Sequence, residues 1–253
     1  MNDFQFYNPT RIIFGAGSIA KLKKLIPGKA RVLLLFGGGS IKKNGVYLQV
    51  ADALRKYELF EFGGIEPNPD YATLMKAVKS VKKNRIDFLL AVGGGSVIDG
   101  AKFISVASLY QGDDPWDIVS QGLGSSLKKA LPIGVVLTLP ATGSEMNHNS
   151  VISNRETGQK KSFGSDKVFP KFSILDPKVT YSLPKEQVRN GLVDAYVHIL
   201  EQYLTYPVGA AVQDRQAEGL LLSIHEIAQQ ALQTNPPDYD ARANYMWVCT
   251  NAL

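Results

Sequence analysis

Two short passages constrain this chain more than anything else in its 253 residues: Leu33-Leu-Leu-Phe-Gly-Gly-Gly-Ser40 and Leu89-Leu-Ala-Val-Gly-Gly-Gly-Ser96. Each is an apolar run too short for a helix and without polar alternation, closed by three glycines. A strand covered on both faces reads this way, and such strands belong to parallel sheets flanked by helices. The sequences around the two passages differ, so they do not make a repeat architecture. They read as two strand-to-loop turns doing similar work at one edge of a sheet.

The first two thirds of the chain show the alternation such a sheet requires. Arg31 to Phe36 reads as a strand, and Val46 to Tyr57 as a helix with Val46, Val50, Ala53 and Leu54 on one face. Leu59 to Phe62 is a second strand. After the turn residues Pro67 and Pro69, Asp70 opens a helix from Tyr71 to Asn84. Asp87 to Val92 is another buried strand and Ser96 to Leu109 another helix, with further strands at Ile133 to Leu139 and Phe172 to Leu175.

After Ser182 the texture changes. Leu183-Pro184 leads into a helix through Val188, Leu192, Val193, Tyr196 and Leu200; Ala211 to Leu232 is a second, and a third begins near Asp238. The last residues keep helical spacing without a glycine cap or polar tail, so the expectation is a sequence cut off within a longer protein. The expected class is α/β: an α/β unit over residues 1–182, then an incomplete all-helical unit over residues 183–253.

Lys and Arg number 28 against 23 Asp and Glu, a formal +5 that is scattered along the chain. The densest basic run, Lys76, Lys79, Lys82, Lys83 and Arg85, has the helical spacing of a solvated face, so nucleic acid is not an expected partner. No apolar run nears the roughly 20 residues of a membrane span, and Met1-Asn2-Asp3-Phe4 has no secretory character. Cys249 is the single cysteine and reads as a small buried hydrophobe beside Met246, Trp247 and Val248. A soluble, cytoplasmic protein in a reducing setting is expected.

Gly93-Gly94-Gly95-Ser96 follows a strand and precedes a helix, where backbone amides can approach a phosphate. The plainer reading is a tight turn with a capping box, Ser96 at the N-cap and Asp99 at the third position; both can hold. The turn Gly37 to Ser40 carries no carboxylate of the kind that receives ribose hydroxyls, and Lys42 and Lys43 follow it. Lysine attracts a 2′-phosphate, by about 10- to 150-fold if a charge-assisted bond of roughly 1.5–3 kcal/mol forms. That favours NADP over NAD, unless both lysines are plain surface. Thr138 to Glu145 ends a strand in small hydroxyl residues, suited to wrapping a nucleotide or to a simple connection.

Asp194 and His198 sit four apart on a helix, with Cβ atoms roughly 6 Å apart. They can grip one divalent metal or form a hydrogen-bonded pair. His225 reads as structural, and His148 as lining a pocket.

In combination these segments resemble the iron-containing alcohol dehydrogenases. Gly93 to Asp99, Thr138 to Glu145, and Asn190-Gly-Leu-Val-Asp-Ala-Tyr-Val-His198 follow that family's order. Pro9 to Gly15, Phe62 to Pro69 and Asp114-Pro-Trp116 resemble its butanol dehydrogenase and NADPH-dependent aldehyde reductase branch. The resemblance implies a Rossmann-like dinucleotide-binding domain and a helical metal-binding domain of dehydroquinate synthase-like fold. It implies hydride transfer between NADP(H) and an aldehyde or alcohol, a divalent metal (Fe²⁺ or Zn²⁺) held by Asp194 and His198, and a homodimer. It sets Gly38, Ser40 and Pro69 at the adenosine end and Gly95, Ser96 and Asp99 at the pyrophosphate. Thr138, Thr142, Ser144 and Lys160 then line the rest of the nucleotide. The family uses four metal ligands, two of them later histidines that have no counterpart here after His225. The competing expectation is therefore an NADP(H)-binding module without catalysis. A lyase or phosphate-substrate dehydrogenase of the same fold is disfavoured, because no extra basic cluster lies near Asp194.

Overall fold

The computed structural model describes residues 1–253. There are eight strands: β1 (Arg11–Phe14), β2 (Arg31–Leu35), β3 (Glu58–Phe62), β4 (Phe88–Gly94), β5 (Ile133–Leu139), β6 (Asn149–Asn154), β7 (Gln159–Gly164) and β8 (Phe172–Leu175). Six of them pair in parallel in the order β1-β8-β5-β4-β2-β3, while β6 and β7 form a separate antiparallel hairpin. Burial follows position. The inner strands are buried almost throughout, whereas the edge strands β1 and β3 each keep two exposed residues and no buried one. Unalternated apolar sequence therefore marks the centre of the sheet.

The helices are α1 (Ser40–Lys43), α2 (Val46–Ala53), α3 (Tyr71–Lys83), α4 (Gly95–Ala107), α5 (Asp117–Ser120), α6 (Lys185–Tyr203), α7 (Ala211–Ala231) and α8 (Tyr239–Asn251). α2 stops four residues short of the expected end at Tyr57. The chain must turn there to enter β3 at Glu58, and the Tyr57 hydroxyl fixes the turn by donating to the Ile26 carbonyl at 2.9 Å. The basic run on α3 and after it is exposed, as a solvated face should be.

Sequence patterning misses β1 and the β6–β7 hairpin as strands. β1 has only four residues at an edge, and β7 is Gln-Lys-Lys-Ser before its single buried Phe163. Neither carries a clear period-2 signal.

One large apolar core fills both faces of the sheet. A smaller one, centred on Val188, Leu192, Ile199, Tyr245 and Cys249, joins α6, α7 and α8. Met246 belongs to the large core while its neighbours Tyr245 and Val248 belong to the small one, so α8 is the element that bridges them. Cys249 is fully buried. No helix is long and apolar enough to cross a membrane.

Candidate cofactor and metal site

Because all six sheet strands are parallel, their carboxyl ends share one side, where open α/β sheets bind ligands. The glycine turn at the end of β4 is the centre of this side. The β4–β5 register shifts between Gly93 and Gly94, so the turn is still part of the sheet when it kinks into α4. A Cβ on Gly93 would lie 2.5 Å from the Val97 side chain, and one on Gly95 would lie 2.5 Å from Thr142 Oγ1. Gly93 thus lets α4 fold close against the end of β4, and Gly95 lets the β4 and β5 loops close on each other, constraints additional to any phosphate contact.

The capping box, the plainer alternative for this turn, does not form. α4 is capped by Gly94 without a side-chain bond. The Ser96 hydroxyl instead accepts from the Asn68 amide at 3.3 Å. Asp99 turns inward: its carboxylate accepts from Ser144 Oγ at 2.6 Å and from the Val151 amide at 2.9 Å. Tertiary partners across two loops outcompete a local cap.

Ser144 is itself held by Lys102, whose ammonium donates to Ser144 Oγ at 2.8 Å, Asn147 Oδ1 at 2.9 Å and the Asn149 carbonyl at 2.7 Å. Lys102 is completely buried. Burial brings its pKa down to about 8, opposed by the charges of Asp99 and Glu145. Burial likewise raises the Asp99 and Glu145 carboxyls, with Lys102 opposing both shifts. Asp99 and Ser144 therefore fasten the loop after β5 to α4 and β6. Lys102 and Glu145 were passed over in the sequence. The available signal was a lysine in the otherwise small and apolar run Gly100-Ala-Lys-Phe-Ile104.

Among the residues expected at an adenosine end, Lys160 on β7 donates to Asn68 Oδ1 at 2.8 Å, bringing the hairpin onto the loop after β3. Pro69 is buried and its carbonyl accepts from the Ser153 amide at 3.0 Å, so it shapes this loop. Gly38 has open space around it and Ser40 opens α1. Thr138 is nearly buried at the end of β5. Lys42 is not a free cation: it donates to Glu61 Oε2 at 2.7 Å. Glu61 comes from the neighbouring strand, so the carboxylate that the glycine turn itself lacks is supplied from across the sheet.

On α6, His198 Nε2 lies 3.5 Å from Asp194 Oδ2. That Asp194 oxygen is buried and has no hydrogen-bond partner, the condition of an atom shaped to receive a cation. Glu201 approaches the other ring nitrogen, at 3.9 Å, and no group of three His, Cys, Asp or Glu side chains converges on one point. The pair fits two ligands of a metal site. His148 stands elsewhere, edge-on to Phe169 and 3.7 Å from Asp166. His225 is exposed on α7 and packs into no core, contrary to the structural role expected of it.

α6 is fastened to the loop after β5. The Tyr245 hydroxyl donates to the Pro140 carbonyl at 2.5 Å, and both press against Gly191, one turn before Asp194. From α8, Thr250 Oγ1 donates to the buried Glu145 carboxylate at 2.6 Å.

Residues 9–177 match the family profile described as iron-containing alcohol dehydrogenase. The chain belongs to that family. The chain is 56% identical over 254 residues to the NADPH-dependent aldehyde reductase YqhD of Escherichia coli K12, covering 100% of this chain and 65% of that protein. It is 46% identical over 256 residues to the probable NADH-dependent butanol dehydrogenase 1 of Bacillus subtilis, again covering 100% of this chain and 65% of the relative. The solved structure of E. coli K-12 YqhD superposes with a TM-score of 0.96 over 100% of this chain and 64% of that one. This iron-containing alcohol dehydrogenase chain therefore spans about 65% of the length of these relatives.

Proposed function

We propose that the protein to which this chain belongs is a metal-dependent oxidoreductase transferring a hydride between NADPH and an aldehyde, an aldehyde reductase or primary alcohol dehydrogenase. The observation that carries this reading is the seam between α6 and the β5 loop. There Tyr245, Pro140 and Gly191 hold the Asp194–His198 pair against the end of the sheet where the glycine turn lies. Residues 1–182 would form the dinucleotide-binding unit and residues 183–253 the start of the metal-binding unit, working as a homodimer.

In this reading Gly93 to Gly95 admit the pyrophosphate to backbone amides at the start of α4, and Thr142 closes the opposite wall. Gly38, Ser40 and Lys160 surround the adenosine end. Asp99, Ser144 and Lys102 orient the loop without touching the reacting atoms. Asp194 and His198 would hold an iron or zinc ion, which supplies Lewis acidity toward the carbonyl oxygen. The preference for NADPH rests on Lys42 and on the absence of a carboxylate within the Gly37–Ser40 turn.

Fluorescence titration of this chain with NADPH and NADH tests the cofactor assignment. NADPH is expected to bind more tightly than NADH; equal affinities would remove the NADP assignment. For the metal, His198→Ala is expected to weaken Zn²⁺ binding, read by calorimetry, by at least the roughly 10- to 100-fold typical of losing a supporting residue. An unchanged affinity would mean that the ion sits elsewhere.

One observation favours a second reading, an NADP(H)-binding module without catalysis: only two metal-ligating side chains converge. Aldehyde-dependent oxidation of NADPH by this chain would exclude it, and nucleotide binding with no turnover would support it.

A further inference from the structure

We propose that Glu61 is a specificity-determining residue that acts as a counter-charge to Lys42, holding down the preference for a 2′-phosphorylated dinucleotide. The inference rests on the reading of the Gly37–Ser40 turn as the adenosine end of a dinucleotide site.

Glu61 lies one residue before the end of β3, the edge strand next to β2. Its carboxylate is held on both oxygens: Lys42 donates to Oε2 at 2.7 Å and the Tyr47 hydroxyl donates to Oε1 at 2.5 Å. The Lys42 ammonium is also confined between aromatic faces, 5.1 Å from the Phe36 ring centre and 4.8 Å from that of Tyr47. Four elements thus fix one ammonium and one carboxylate beside the first glycine turn: the end of β2, the short α1, the start of α2 and the end of β3. The strand order puts this cluster on the far side of β2 from the β4 glycine turn. A dinucleotide with its pyrophosphate at Gly93–Gly95 and its adenosine reaching across β2 brings its ribose toward Lys42 and Glu61 together.

Carboxylates at such strand ends accept hydrogen bonds from ribose hydroxyls and repel a 2′-phosphate. Here the carboxylate already neutralises the one fixed cation that would attract that phosphate, so the pair presents little net charge. Both groups remain partly open to solvent, with side-chain exposures of 47% for Lys42 and 33% for Glu61, so a ligand can reach them. Hydrogen bonds from Lys42 and Tyr47 keep the Glu61 carboxyl below its ordinary range, so it is ionised at neutral pH.

The test is a pair of titrations, NADPH and NADH, on the unaltered chain, Glu61→Gln, Lys42→Met and the double variant, at low and at high salt. Glu61→Gln is expected to tighten NADPH by about 5-fold at low salt while moving NADH less than about 2-fold, as an exposed ion pair allows. Lys42→Met is expected to weaken NADPH, to cancel the gain in the double variant, and all differences should shrink at high salt. Glu61→Gln weakening NADPH as Lys42→Met does would overturn the proposal by making Glu61 a mere support for the lysine. An effect of neither substitution, with NADPH bound normally by the unaltered chain, would overturn it and leave the cofactor reading standing. If the unaltered chain binds neither nucleotide, the cofactor reading falls and this proposal with it.

Discussion

Lys102→Met is expected to destabilise the fold by roughly 3–5 kcal/mol, the scale of breaking a buried charge pair from one side. Methionine matches the length of the lysine stem but donates nothing. Ser144 Oγ, Asn147 Oδ1 and the Asn149 carbonyl lose their shared donor, and Asp99 keeps a buried carboxylate without its cation. Urea unfolding at constant slope measures the loss. A cost under about 1 kcal/mol would mean that the loop after β5 finds other partners.

The same substitution should remove a pH dependence. The Lys102 pKa is lowered in the fold, to about 8 from 10.5, so the unfolded chain binds its proton more readily between those values. Stability of the unaltered protein then rises with pH across that window, because burying the charged form is a penalty that is full below about 8 and relieved toward 10.5. The difference between parent and variant isolates this slope from the tyrosines that titrate nearby. A difference that stays flat from pH 8 to 10.5 would show that Lys102 is charged throughout.

Gly191→Ala is expected to cost roughly 2–4 kcal/mol, combining overpacking with a lost buried hydrogen bond. The new Cβ would lie 2.4 Å from the Pro140 carbonyl and 2.2 Å from the Tyr245 hydroxyl. The first is backbone and cannot swing aside, so α6 must back away from the β5 loop. Tyr245→Phe alone should cost only about 1 kcal/mol, the hydrogen bond to Pro140. It should not rescue Gly191→Ala, because the Pro140 carbonyl clash persists. Hydrogen exchange over residues 140–146 and 239–251 reports the separation. Full rescue in the double variant would place the conflict in the hydroxyl alone.

These two positions show what was legible beforehand and what was not. Leu33 to Phe36 and Leu89 to Val92 announce buried parallel strands because an unbroken apolar run has no other stable home. Asp194 and His198 announce themselves because the helical period puts residues four apart on one face. Both are local, periodic facts, and the family resemblance added the order of the segments. By contrast, Glu61 meets Lys42 across 19 residues, Ser144 meets Asp99 across 45, and Tyr245 meets Pro140 across 105. No local period encodes such separations. The capping box that Ser96 and Asp99 could have formed is absent for the same reason: Asp99 has better partners from loops that the sequence holds far away.

The sequence by itself determined the class of fold, the glycine turns and the spacing of the candidate metal pair, since each follows from backbone geometry within a few residues. Only the tertiary structure decided that Asp99, Ser144 and Lys102 bind one another beneath the loop after β5. It also decided that the lysine after the first glycine turn is neutralised by a carboxylate from the next strand. Burial and long-range pairing set those outcomes, and both exist only once the sheet has brought distant segments to one edge.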